Sequence, residues 1–118
     1  MSENIISKKS FDFAVRTVNL YKHLTAEKKE FVLSKQLLRS GTSIGANVSE
    51  AERGQSKADF NAKLNIALKE ANETSYWLKL MYETKRIDIA TYQYTEKLCG
   101  NIRRLLITSC KTAKGNAK

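Results

Sequence analysis

Few residues in this chain have the types and spacing that chemistry needs. His23 is the only histidine, so a Ser-His or Cys-His dyad could be built only around it. It falls near the end of the first helical segment, where a protonated side chain suits the helix dipole, and a surface or capping role is expected. Cys99 and Cys110 are the only thiols. On one helix they would be separated by roughly 16 Å, too far for a disulfide. Each is expected to act as a small buried hydrophobe in a reducing compartment. One histidine and two distant cysteines do not make a zinc site.

Gly41 to Gly45 is followed by Ala46-Asn47 rather than Lys-Ser/Thr, so this is no phosphate-binding P-loop. Asn47 and Glu50 share a helix face close to an apolar seam. Carboxylates on facing bundle helices can hold two irons, but that centre takes a Glu-x-x-His pair from each of two helices, and the sequence has none. A polar network that fixes register between helices or subunits is the expected role. No catalytic residue, cofactor or metal is expected.

Charge offers the remaining candidate. Lys and Arg total 21 against 12 Asp and Glu, a formal charge of +9. Residues 97–118 hold Lys97, Arg103, Arg104, Lys111, Lys114 and Lys118 and no acidic residue. A one-sided basic segment attracts polyanions, and it also serves as a solubilising surface. Charge alone favours the second use. If phosphates are bound, Lys97, Arg103, Arg104, Lys111 and Lys114 are the residues expected to hold them, with salt-dependent affinity. Aromatic residues do not interleave with these cations along the chain, so base stacking is not expected and contacts should be backbone-directed.

These residues must be positioned by helices. The chain has 118 residues, 42% hydrophobic and 28% charged, and no proline. That suits one globular domain built of uninterrupted helices. Helical periodicity predicts helices over about 5–24, 34–53, 57–84 and 89–112, with 113–118 frayed. Ser34 is the expected N-cap of the second helix, and Gly54 its stop. Small residues crowd that helix: Ser40, Gly41, Ser43, Gly45, Ala46 and Ser49. Two interior glycines cost roughly 1 kcal/mol each against Ala, so they imply close approach of another helix. Gly41, Ser43, Ile44, Gly45, Asn47 and Glu50 are the candidate helix-packing or subunit-interface residues. Ser56 opens the third helix with Asp59 three residues on. Phe60, Leu64, Ala67, Ala71, Thr74, Leu78 and Met81 then repeat at heptad spacing, as antiparallel bundle packing requires. Ala67 and Ala71 would let the glycine-bearing helix approach. Short connections make an all-α, antiparallel up-down-up-down four-helix bundle the simplest topology. No apolar h-region opens the chain and no run has the length of a membrane span, so a cytoplasmic protein with no membrane role is expected.

The run from Gln36 to Leu80 resembles the bacterial four-helix-bundle proteins of 23S rRNA intervening sequences. The matching residues are Gln36, Leu37, Arg39, Ser43, Ile44, Asn47, Val48 and Glu50, followed by Phe60, Ala67, Glu70, Glu73, Trp77 and Leu78. The resemblance implies an antiparallel bundle assembled as a homopentamer. A similar protein, the accessory variability determinant of diversity-generating retroelements, works with a reverse transcriptase and its template RNA through a basic surface. A reverse transcriptase is therefore an expected partner only if the gene is retroelement-linked. The family's Asn-Ile-Ala-Glu-Gly departs here to Asn47-Val48-Ser49-Glu50-Ala51. A glycine-dependent turn at position 51 is thereby lost, and the second helix is expected to continue to Gly54.

Three function classes follow. The preferred one is a non-enzymatic oligomeric bundle that associates with RNA or DNA backbone through its basic surface. The alternative is a homo-oligomeric protein-interaction scaffold with no nucleic-acid role. An enzyme or metal carrier is the third, and the residues above give it no site.

Overall fold

The computed structural model describes the backbone of residues 2–116 and the side chains of residues 5–112. Four helices fill it: α1 (Ser2–Ala26), α2 (Leu33–Glu52), α3 (Lys57–Glu83) and α4 (Ile89–Asn116). No strand occurs among the described residues. Each helix packs on its chain neighbour and α4 closes back onto α1, so the four form an antiparallel up-down-up-down bundle, 49 × 21 × 21 Å. α1 starts three residues before its expected beginning at Ile5. α4 runs on to Asn116, past the expected end at 112 and into the segment expected to fray; Ala117 and Lys118 lie outside the described residues.

The core has two apolar clusters. One holds Ile6, Phe13, Ile44, Val48, Leu64, Ala67, Ala71, Cys99, Ile102 and Leu106. The other holds Leu24, Leu37, Leu78, Met81 and Ile87. Along every helix a buried hydroxyl falls between the two: Thr17, Ser40, Thr74 and Thr95, each at most 1% exposed. Buried hydroxyls are tolerated only when paired, and these are. Thr17 Oγ1 donates to the Phe13 carbonyl at 2.8 Å. Thr74 Oγ1 donates to the Glu70 carbonyl at 2.7 Å and shares a 3.0 Å hydrogen bond with Ser40 Oγ. Thr95 Oγ1 accepts from Arg16 Nε at 3.1 Å.

The helix ends correct two expectations. Ser34 is not the cap of α2; it is buried, and its hydroxyl donates to the Glu30 carbonyl. The Glu30 carboxylate does the capping instead, accepting from the amides of Leu33 (2.7 Å) and Ser34 (3.1 Å). A carboxylate there also opposes the positive end of the helix dipole. At the other end α2 stops at Glu52, with Arg53 as C-cap, and Ala51 is helical and buried. Gly54 follows without a positive φ. Its value is space: a Cβ there would meet the Ala51 carbonyl oxygen at 3.1 Å and the Phe60 amide at 3.2 Å. Ser56 caps α3 by accepting from the Asp59 amide at 3.1 Å. Asp88 Oδ1 accepts from the Thr91 amide at 2.8 Å at the start of α4, a bond that holds its carboxyl below the usual range.

Candidate nucleic-acid interface

A seven-residue step on an α-helix returns to nearly the same face. Lys97, Arg104 and Lys111 follow that step on α4 and all three are exposed. Arg103 is one residue, and so about a quarter turn, away from Arg104, and it turns towards α3. Its guanidinium donates to Ser75 Oγ at 2.6 Å and pairs with Glu96 at 3.4 Å. Ser75 Oγ also donates to Glu96 Oε2 at 3.2 Å, while Glu96 Oε1 is buried without a hydrogen-bond partner among the described residues. Arg103 is thus committed to holding α4 on α3, which separates it from the phosphate-binding role expected of it. Glu96 is the only acidic residue in α4, so the Lys97–Arg104–Lys111 stripe carries no carboxylate. The Lys114 side chain lies outside the described residues.

Beside that stripe, α1 and α4 leave a groove of about 330 Å3 lined by Lys9, Asp12, Phe13, Arg16, Tyr94, Leu98, Asn101 and Ile102. The Arg16 guanidinium carbon lies 4.4 Å from the centroid of the Tyr94 ring, within cation–π distance. Tyr94 is nevertheless 53% exposed. Asn101 Oδ1 accepts a hydrogen bond from the Arg104 guanidinium, joining groove to stripe. Asp12, the groove's one carboxylate, pairs with Lys8 at 3.1 Å. None of the α4 cations is the one that meets Tyr94; the aromatic contact is made by Arg16, a cation outside the expected set. The contact runs across helices, with Arg16 supplied by α1 some eighty residues away in sequence, so a reading along α4 alone misses it. The pair of Arg16 and Tyr94 has no linear motif.

The candidate packing residues of α2 divide. Gly41 faces α1, where a Cβ would lie 2.7 Å from the Thr17 side chain, and Gly45 faces the Ser10 carbonyl oxygen at 3.1 Å. The glycines therefore admit α1, whereas Ala67 and Ala71, expected to receive them, lie in the core of α3. Ile44 is buried in that core. Ser43 donates to the Arg39 carbonyl and Asn47 to the Ser43 carbonyl within α2 itself. Glu50 does not join a buried network: it is 60% exposed and pairs with Lys63 of α3 at 2.8 Å. Arg39 reaches Glu70 and Glu73 on the same side.

A wider cavity, about 550 Å3, opens at the loop end of the bundle, lined by residues that include His23, Lys28, Tyr82, Glu83, Lys85, Arg86 and Asp88. His23 is exposed in the last turn of α1. Cys99 is buried against the Ala71 carbonyl, and desolvation pushes its thiol up to about 11. A thiol held neutral is no nucleophile at neutral pH. No group of three or more His, Cys, Asp or Glu with metal-site geometry occurs among the described residues, and none of the described helices is long and apolar enough to cross a membrane.

Comparison with known proteins gives a consistent neighbourhood. The family model for the 23S rRNA-intervening sequence protein matches residues 2–108. A crystal structure from Bacteroides thetaiotaomicron, of a protein with unknown function from the S23 ribosomal protein family, superposes with a TM-score of 0.93 at 58% identity, covering 94% of this chain and 99% of that one. None of the curated proteins compared with the chain matches it.

Proposed function

The chain belongs to the 23S rRNA-intervening sequence protein family, and we propose that it works there as a non-enzymatic, homo-oligomeric bundle that holds RNA or DNA backbone along α4. One observation carries this reading: three exposed cations, Lys97, Arg104 and Lys111, on one face of a helix whose single carboxylate is occupied elsewhere. Successive cations are roughly 10 Å apart along the axis, a spacing at which each can meet a separate phosphate. Neutralising phosphates releases counterions, so binding should weaken steeply with salt.

The test is fluorescence anisotropy with labelled RNA and DNA oligonucleotides over a salt series. The wild-type protein should bind at low salt with a log–log slope of about −2 to −3, as three contacts give at roughly 0.7–0.9 per phosphate. The variant K97E/R104E/K111E should lose that binding while keeping its fold. Absence of binding at low salt would remove the reading.

A second observation favours the scaffold alternative. Phe11 and Val15, four residues apart on α1, are 67% and 45% exposed. The Phe11 backbone lies beside Gly45, on the small-residue side of α2. Two exposed apolar side chains on one helix face, beside the small-residue side of α2, offer an apolar edge on which a second copy could pack. Light scattering on wild type and on F11E/V15E decides it. A larger wild-type mass that collapses in the variant supports assembly through this edge, and a scaffold without nucleic-acid function predicts that mass together with no oligonucleotide binding.

A further inference from the structure

Resting on the backbone-binding reading above, we propose that the α1–α4 groove is a seat for an unpaired base, which makes single-stranded nucleic acid the substrate class. A stacking platform needs an exposed aromatic face held in a fixed position next to cations that take the flanking phosphates. Tyr94 supplies the face. Arg16 lies over one side of its ring at 4.4 Å and is fixed by its own 3.1 Å bond to the buried Thr95 hydroxyl. Tyr94 as a whole is 53% exposed, so the residue stays accessible beside Arg16.

The surroundings fit a base with its phosphates. The groove of about 330 Å3 has apolar walls from Phe13 and Leu98 and an amide from Asn101. Lys97, three residues after Tyr94 on α4, is exposed on the adjoining face. Arg104 is tied to Asn101, so a strand whose base stacks on Tyr94 meets Lys97 and Arg104 with its backbone. Within a duplex the base faces are stacked on one another, so away from its ends it offers the groove backbone and base edges but no free base face.

Anisotropy with a single strand and a blunt duplex of equal length and matching sequence, at one salt concentration, tests this. The wild-type protein should prefer the single strand. Tyr94→Ala should lower single-strand affinity about tenfold, in the range that loss of one base–aromatic stack gives, and leave duplex affinity unchanged. Tyr94→Phe should retain the preference, and Tyr94→Leu, which keeps apolar bulk without a π-face, should lose it. K97E/R104E should weaken both substrates. Equal affinity for both substrates in the wild type, or an unchanged single-strand affinity in Tyr94→Ala and Tyr94→Leu, overturns the base seat and leaves backbone binding standing. No binding to either substrate removes both.

Discussion

Gly41 of α2 meets Thr17 of α1 so closely that a Cβ on the glycine would lie 2.7 Å from both the methyl and the hydroxyl of the threonine. Thr17 cannot readily give way. It is 1% exposed, β-branched, and bonded to the Phe13 carbonyl. Gly41→Ala should therefore destabilise the bundle by about 1–3 kcal/mol through overpacking, although Ala gains roughly 1 kcal/mol in helix propensity. In a Thr17→Ala background the two closest atoms are gone and only the residue-17 Cβ, 3.2 Å away, stays tight, so the same substitution should cost much less. Urea unfolding of the four proteins of this cycle measures the coupling. Additive effects would show that the α1–α2 contact is not what demands glycine at 41.

Arg103 and Arg104 are neighbours in sequence with opposite commitments, and a pair of substitutions separates them. Arg104→Ala removes an exposed cation, so oligonucleotide affinity should fall and the salt slope should shrink by about 0.7–0.9. Stability should hardly change, since surface substitutions stay within about 0.5 kcal/mol. Arg103→Ala breaks the bonds to Ser75 and Glu96. With the Arg103 and Glu96 side chains each about a quarter exposed, the loss is roughly 1 kcal/mol of stability after screening, and the salt slope should stay as in the wild type. Thermal unfolding and anisotropy on the same two samples give the answer. A slope reduced equally by both variants would mean that Arg103 also reaches the ligand.

How far the sequence could be read depends on whether a feature is local. The helices were legible because their signals repeat within each segment: the heptad of Phe60 to Met81 is buried along its core-facing positions, and Ser56 caps by a contact three residues long. Close approach at Gly41 and Gly45 was legible too, but not the partner, because α1 and α3 both present small residues. Features that join distant segments were not. Glu30 outcompetes Ser34 as a cap because the loop folds its carboxylate over the amides of Leu33 and Ser34. Arg103 is drawn inward by Ser75, and Arg16 reaches Tyr94 and Thr95, from other helices. The acid-free basic run from Lys97 onward could be read from composition, but the separation of Arg103 from Lys97, Arg104 and Lys111 could not, because it depends on Ser75 of another helix. Nor could the groove beside them.

Cys99 and Cys110 should react in a fixed order. Burial raises both thiols, Cys99 to about 11 while it donates to the Ala71 carbonyl, and Cys110 by less complete burial. A raised thiol pKa leaves little thiolate near neutrality, and only the thiolate attacks. In the folded protein a thiol reagent at mildly alkaline pH should label Cys110 first, slowly, and Cys99 at the rate at which the bundle opens. Labelling should accelerate as pH rises towards about 11, and denaturant should equalise the two sites. Mass spectrometry of a time course reads the order. Rapid native labelling of Cys99 would contradict its burial.

Lys85 takes φ of 63°, a left-handed conformation that side chains disfavour. The strain has a structural reason. The Lys85 amide bonds the Tyr82 carbonyl at 3.0 Å and the Arg86 amide bonds the Met81 carbonyl at 2.7 Å, the paired bonds that close a helix when the residue after its cap turns left-handed. Glycine is the usual residue there because the Cβ penalty, roughly 1–2 kcal/mol, disappears. Against that stand the larger unfolded-state entropy of glycine and the loss of a cation at the C-terminal end of α3, where the dipole favours one. The first effect is the largest, so Lys85→Gly should stabilise the bundle by about 0.5–1 kcal/mol, read as a higher urea midpoint with unchanged m. Lys85→Val should go the other way and by more, because a β-branched residue fits this conformation worst. If Lys85→Gly is no more stable than the wild type, the lysine side chain offsets its own backbone strain through the α3 terminus. A Lys85→Gln variant, which keeps a flexible polar side chain without the charge, would then fall below the wild type in a way that salt reduces.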